Sequence, residues 1–425
     1  MTDPIDRAGA AVRRAAAGGA HRLGIARVAR LAAERARADE LATEVDLLRR
    51  ADRWPAAATP SRAGVNVVGS LHHQLSLGDS GRRLVDVLHN GGVPTSAIAY
   101  GLVPAEPVID RRPVDQFLAY DSTIALMAAD QIALLGWLHP EVRATSRRLV
   151  GYCYWELETL STEIRRGAAA VDEIWVHTRF IEDAFANGTT TPVRRVPLPV
   201  AEPVSSGRTR ADFAALAPFT DRPLIGVTFD YFSVRERKNP VGAIEAFTRA
   251  FRPDEGPVLV VKTLHADHFP DQHAELVSAA AGRSDVVVWN EQLTRADQMA
   301  FIACLDGLLA LHRSEGFGVH LAEAMWLGTP VVATGYSGNV DFMDDDNSLL
   351  VGYELTGVRD GGGIYPGGAR WAEPDVDHAA ECLRRLVSDP DLAAGLADRA
   401  RATMESQPGD AEVAAGIATR LGLRC

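Results

Sequence analysis

The sequence predicts an α/β protein of two domains, and three observations carry that prediction. Short apolar runs of strand length alternate with segments of helical period along most of the chain. The length of 425 residues suits two domains of ordinary size. Between the alternating halves lies Pro197-Leu198-Pro199-Val200-Ala201-Glu202-Pro203, followed by a small, polar stretch to Thr220. This places a junction near residue 200, with residues 61–203 as the first domain, 204–221 as linker and 222–405 as the second.

Residues 1–60 are expected to form a helical extension and linker. Ile25, Val28, Leu31, Leu41, Val45 and Leu48 recur in roughly helical period among many charges, and Trp54-Pro55 ends the run. Ala56–Arg62 reads as linker. This extension is either a lid or partner helix, or a packing addition to the main body.

In the first domain, Gly64–Gly69 reads as a buried strand, and Ser70–Gly81 as a loop holding His72, His73, Gly78 and Gly81. A helix over Arg82–Leu88 and a strand over Val93–Tyr100 follow, giving a strand, glycine loop, helix, strand unit. The loop Gly78-Asp79-Ser80-Gly81 is not the dinucleotide fingerprint. Ile132–Leu138 reads as a strand, as do Arg148–Tyr152 and Val171–Val176. Trp155-Glu156-Leu157-Glu158 follows the second of these. Glu156 is either a cleft residue or an acid at a helix start.

In the second domain, Leu224–Phe229 is a strand, Asp230–Pro240 a loop and Val241–Phe251 an amphipathic helix. Arg235, Arg237 and Lys238 sit in that loop, which by itself reads equally as a solvated basic cluster. Pro257–Lys262 and Asp285–Trp289 are strands, and Asp297–Ala303 is a helix. Leu308–Leu311 is a strand, followed by a polar loop with Gly316 and Gly318 around Phe317, then a helix over Val319–Leu327 stopped by Gly328. The loop thus lies at the carboxyl end of a strand, where open α/β sheets bind ligands. Its glycines permit close backbone approach, and the first helical amides suit anionic oxygens. Glu315 in the loop and Glu323 in the helix would touch different parts of one extended ligand, or else are a solvated pair. Gly335–Asn339 is a second polar loop, whose Gly338 and Asn339 amides suit phosphate or sugar oxygens. Gly357–Gly368 reads as a surface excursion, and Asp377–Val387, Asp391–Glu405 and Ala411–Leu421 as helices.

The segment Ser314-Glu315-Gly316-Phe317-Gly318-Val319-His320-Leu321-Ala322-Glu323-Ala324-Met325, with Gly328-Thr329-Pro330-Val331-Val332-Ala333-Thr334 after it, resembles the signature of the retaining GT-B glycosyltransferases of family 4. The family's organisation fits residues 64–400 more loosely. The resemblance implies the GT-B fold, two Rossmann-like α/β domains facing across a cleft. It implies that Glu315 holds a donor sugar, Glu323 the nucleotide ribose and Lys238 the donor diphosphate. It implies that Gly78 lies in a loop under the donor phosphates, that Asn290–Thr294 lies near the base, and that residues 406–425 form a helix crossing back to the first domain. Two departures stand out. The family's Arg beside the Lys has no clear match, so Arg235 or Arg237 would take its place. Where many members carry a His, this chain has Trp155-Glu156, so Glu156 would contact a sugar hydroxyl and Trp155 would stack on a sugar face. His139 is a weaker cleft candidate.

The function expected is transfer of a hexose from a UDP- or GDP-sugar to a small-molecule or saccharide acceptor, with retention and without a metal. The alternative is a non-catalytic GT-B scaffold that binds a carbohydrate or a partner enzyme. A net charge of −12 argues against non-specific nucleic-acid binding. No apolar run approaches a membrane span, and the start shows no signal-peptide pattern, which reads as cytoplasmic. Cys153, Cys304, Cys382 and Cys425 form neither a close pair nor a metal-ligand spacing. Homo-oligomerisation stays open.

Overall fold

The computed structural model describes residues 56–423, except 73–75, 101–113, 116, 254 and 360–364. The expected helical extension before residue 56 and the reading of His73 lie outside the described residues.

The first domain runs β1 (Ala56–Ser61), β2 (Val65–Gly69), α1 (Ser76–Asn90), β3 (Thr95–Ala99), β4 (Leu118–Tyr120), β5 (Ser122–Leu126), α2 (Ala129–Leu138), α3 (Pro140–Thr145), β6 (Arg148–Cys153), α4 (Thr162–Ala168), β7 (Glu173–Val176), α5 (Arg179–Gly188) and β8 (Val193–Arg195). Six strands form a parallel sheet in the order β3-β2-β5-β6-β7-β8, and β1 pairs separately with β4. The strands are apolar because helices cover both faces: Val65, Val67 and Leu126 face one core, Val68, Ala125 and Val176 the other.

The second domain runs β9 (Leu224–Asp230), α6 (Arg235–Lys238), α7 (Pro240–Ala250), β10 (Val258–Leu264), α8 (Pro270–Ala279), β11 (Val286–Asn290), α9 (Arg295–Ala303), β12 (Gly307–Ala310), α10 (Val319–Trp326), β13 (Val331–Thr334) and β14 (Leu349–Val351). Its parallel sheet has the order β11-β10-β9-β12-β13-β14. The order reverses between β9 and β12, which pair at Gly307–Ile225 and Leu308–Gly226. That reversal opens a crevice beyond the carboxyl ends of the two strands. An antiparallel hairpin, β15 (Tyr353–Gly357) and β16 (Arg370–Pro374), precedes α11 (Val376–Ser388), α12 (Pro390–Glu405) and α13 (Asp410–Leu421).

Two second-half segments pack on the first domain. Ala369 and Trp371 join the core around Trp155, Leu157 and Phe185. Helix α13 places Ala414, Ile417, Ala418 and Leu421 in the core beneath α1. There Gly91 has no room for a side chain, since a Cβ would stand 2.1 Å from that of Ala414.

Four expectations require correction. Ile132–Leu138 belongs to helix α2, and the strand in that region is Ser122–Leu126. Ala56–Ser61 is a strand. Gly78 is not in a loop but in the first turn of α1, which begins six residues before Arg82. Asp230–Pro240 is not open loop: a 3-10 turn over Tyr231–Ser233 leads into the single turn α6. Asn239 then adopts left-handed backbone, φ 51°, and its side chain caps α7 at the Gly242 amide, with Pro240 in the first helical position.

Candidate active site

The crevice at the strand reversal holds a compact set of charges. After β12 the chain passes Arg313, Ser314 and Glu315 before α10 begins. Three contacts fix this loop. The Arg313 amide donates to the Arg237 carbonyl at 2.7 Å, the Glu315 amide to Ser337 Oγ at 2.7 Å, and the Gly338 amide to the Glu315 carbonyl at 2.9 Å. Gly316 and Gly338 meet so closely that a Cβ on Gly338 would lie 2.0 Å from the Gly316 carbonyl oxygen. Gly318 takes φ 93° as the residue before α10, a conformation that suits glycine.

Glu315 is buried, and two cations from α6 meet it. Arg237 Nη1 lies 3.0 Å from its Oε1, and Lys238 Nζ bonds the same oxygen. Burial alone would raise the Glu315 carboxyl. Lys238 and Arg237 outweigh burial and hold it well below the usual carboxylate range. Burial in turn lowers the Lys238 ammonium, with Glu315 opposing and Arg237 adding to the fall. Arg237 also donates to the Ser314 carbonyl at 2.8 Å, and its Nη2 lies 4.0 Å from Glu156 of the first domain. Burial holds His320, on the first turn of α10, near pKa 3 and therefore neutral.

Glu323 sits one turn further along α10 with only 2% of its surface exposed. Arg295, at the start of α9, bonds it through Nη2 and approaches its Oε2 at 3.4 Å through Nη1. Here burial outweighs the cation, and the Glu323 carboxyl is raised, with Asp79 of α1 adding to the rise.

Two adjoining cavities, of about 930 and 710 Å³, meet at Asp79, Tyr154, Arg295, Phe317 and Glu323. The smaller holds Glu315, Lys238, Arg237, Glu156, Gly316 and Gly318. The structure therefore brings most of the sequence candidates to one cavity. Five sit differently. Arg235 turns to Glu236 and to Glu275, the latter at 2.6 Å, and does not line either cavity. Asn339 is fully buried, bonding His312 Nε2 at 3.0 Å and the Thr334 carbonyl at 3.0 Å. The Gly338 amide is spent on the Glu315 carbonyl, so it is not available to phosphate. Trp155 is 3% exposed, donates to the Thr159 carbonyl at 3.2 Å and packs against Tyr365. It is largely a core ring, and it also contributes to the lining of the smaller cavity. His139 is paired with Glu141 at 3.0 Å, away from the cavities.

Sequence reasoning missed Arg295, Tyr365 and the residues that join the domains. Thr178 Oγ1 donates to the Gly316 carbonyl at 2.9 Å, the Arg179 amide to Asp341 at 2.8 Å, and Tyr336 to Glu158 at 3.1 Å. Ser314 Oγ donates to the Glu156 carbonyl. Tyr336 lay in the segment Gly335–Asn339 read as a polar loop, with Asp341 just beyond it, and no local pattern marks such cross-domain pairs. Among the described residues, no group of His, Cys, Asp and Glu is arranged to hold a metal ion, and no helix is long and apolar enough to cross a membrane.

Two facing Rossmann-like domains with the charged loop on the second define the GT-B class of fold. Residues 231–403 match the model of the family described as "Glycosyl transferases group 1". Sucrose-phosphate synthase from Thermosynechococcus elongatus superposes with a TM-score of 0.62 at 13% identity, covering 84% of this chain and 98% of that one. HepE from Anabaena, solved in complex with UDP and glucose, gives 0.60 at 13% identity over 85% and 99%. WaaG, a glycosyltransferase involved in lipopolysaccharide biosynthesis, gives 0.52 at 16% identity over 84% and 99%. No curated protein matches by sequence. The structural likenesses show the GT-B fold, and the resemblance to the glycosyl transferases covers residues 231–403.

Proposed function

We propose that this protein is a retaining glycosyltransferase. It moves a hexose from a nucleoside diphosphate sugar, UDP- or GDP-linked, to a hydroxyl of a small-molecule or saccharide acceptor. The observation that carries the reading is the pairing of Lys238 and Arg237 with Glu315 at the sheet's crevice, with Glu156 opposite. In ligand-free protein the two cations rest on Glu315. A donor diphosphate offers them a stronger anion, and Glu315 is then released to accept hydrogen bonds from hexose hydroxyls. As the glycosidic bond breaks, charge grows on the leaving diphosphate, and two fixed cations stabilise it without reorganisation. The acceptor attacks on the face the leaving group departs from, and a donor phosphate oxygen takes its proton. The protein supplies positioning and charge, so no nucleophilic carboxylate is required. Glu156 contacts a sugar hydroxyl from the first domain, and Glu323 takes the ribose.

The test is the anomeric configuration of the product, read by proton NMR coupling with a chelator present. Retention with full activity is expected. An inverted product, or activity lost to chelator and restored by a divalent ion, overturns the reading.

A further inference from the structure

Burial raises the Glu323 carboxyl, yet a ribose diol needs acceptor oxygens. A carboxylate accepts from both hydroxyls, whereas a neutral acid spends one oxygen as a donor. The charged groups that face Glu323 are two: Arg295 on α9 and Asp79 on α1, across the cleft. Asp79 opposes ionisation of Glu323, and Arg295 favours it. Asp79 is itself bonded to Arg82.

The geometry of the Arg295 contact suits a supporting role. Its guanidinium meets the carboxylate as a fork, with one nitrogen on Oε1 and the other 3.4 Å from Oε2. A carboxylate offers about four lone-pair positions, so acceptor capacity remains for two hydroxyls. Arg295 is 49% exposed where Glu323 is 3% exposed, and it lines both cavities at their meeting point. A ligand that reaches Glu323 therefore passes alongside the guanidinium.

We propose that Arg295 is a positioning residue for the donor nucleoside, gripping Glu323 through both guanidinium nitrogens so that its carboxylate is oriented to accept both ribose hydroxyls. This inference rests on the donor-site reading above. In its absence the Glu323 carboxyl loses the cation that opposes its burial, so it rises further and nucleotide binding depends more steeply on pH than in the wild-type protein.

The experiment is calorimetric binding of UDP and of GDP from about pH 6 to about pH 8.5, each variant compared with wild type at the same pH. That comparison removes titrations common to all, those of the nucleotide phosphate and Lys238. Arg295→Met should bind about tenfold or more weakly at the acid end and recover most of the loss at the alkaline end, as Glu323 ionises. Arg295→Lys should keep the wild-type profile, and Glu323→Gln should bind weakly with no added slope. A loss in Arg295→Met that is equal at every pH overturns the inference, and so does wild-type binding by that variant. Failure of wild type to bind either nucleotide removes the donor-site reading and this inference together, whereas normal wild-type binding with an unchanged Arg295→Met profile removes the inference alone.

Discussion

Glu315 and Glu323 lie on one loop-helix segment, both nearly removed from solvent, yet their carboxyls shift in opposite directions. Glu315 meets two cations and is held low. Glu323 meets one half-exposed cation and an opposing Asp79, and is raised. Burial is similar, so it does not decide the outcome. What decides is the number of charges brought within a few ångströms, because Coulomb interactions strengthen as water is excluded. A carboxylate with surplus cations can lend them to a phosphate. One with a single cation keeps that partner and is suited to neutral hydroxyls.

The sharpest way to break this contrast is to remove a lent cation. Lys238→Ala should reduce transfer by about 10²- to 10³-fold, the scale of losing one preorganised charge contact, and should weaken nucleoside diphosphate binding by calorimetry. Unchanged affinity would move that role to Arg237. Glu315→Gln comes next. It should cut transfer by about 10²-fold while the free diphosphate binds no more weakly than to wild type, because Lys238 and Arg237 lose their internal competitor. Its stability cost has a defined pH window. Glu315 is depressed in the folded state, so its contribution is present above the unfolded carboxyl value of about 4.3 and is lost as pH falls through the lower folded value. At neutral pH the variant should be less stable by about 3 kcal/mol, since two buried cations lose their anion, and chemical denaturation should show that gap closing in acid.

Glu323→Gln should weaken donor and free diphosphate alike by about tenfold, the scale of a hydrogen bond to a charged group. If it spared the free diphosphate while Glu315→Gln abolished its binding, the donor would lie in the opposite orientation. Arg235→Ala should have the smallest effect, within about twofold in steady-state transfer, because its guanidinium serves Glu236 and Glu275 and lines neither cavity. A large loss there would show that α6 turns on ligand binding.

The elements legible in the sequence are those whose burial is local and apolar. Leu224–Asp230, Val258–Leu264 and Gly307–Ala310 lie close to where their apolar runs predict. Ser122–Leu126 escaped notice because two of its five buried residues, Ser122 and Thr123, are polar. Thr123 Oγ1 is satisfied by residues distant in sequence, accepting from Asn66 Nδ2 on the neighbouring strand β2 at 3.0 Å and from Ser146 Oγ at 2.8 Å. The neighbouring Ile132–Leu138 is apolar enough to imitate a strand, because α2 packs against other elements without a clean polar face. At the site, Glu315, Glu323 and Lys238 stood out through their resemblance to a family signature. Arg295 did not, because its role comes from proximity to a residue twenty-eight positions away. Arg237 and Arg235 looked equivalent until the turn of α6 pointed them apart.

Helix α13 carries a consequence for how the protein comes into being. Chains emerge from the ribosome amino end first, and the first domain's sheet is finished by β8. Yet the apolar surface beneath α1 waits for Ala414, Ile417 and Leu421, which are made only after the whole second domain. Until then the nascent first half carries an uncovered patch. The latch formed by Arg83 and Asp410 closes late, over a very long loop. The two halves are thus separable in architecture but not in biogenesis: the first domain is completed by the last helix to be translated among the described residues, and a chaperone that shields exposed apolar surface would find its substrate in that interval.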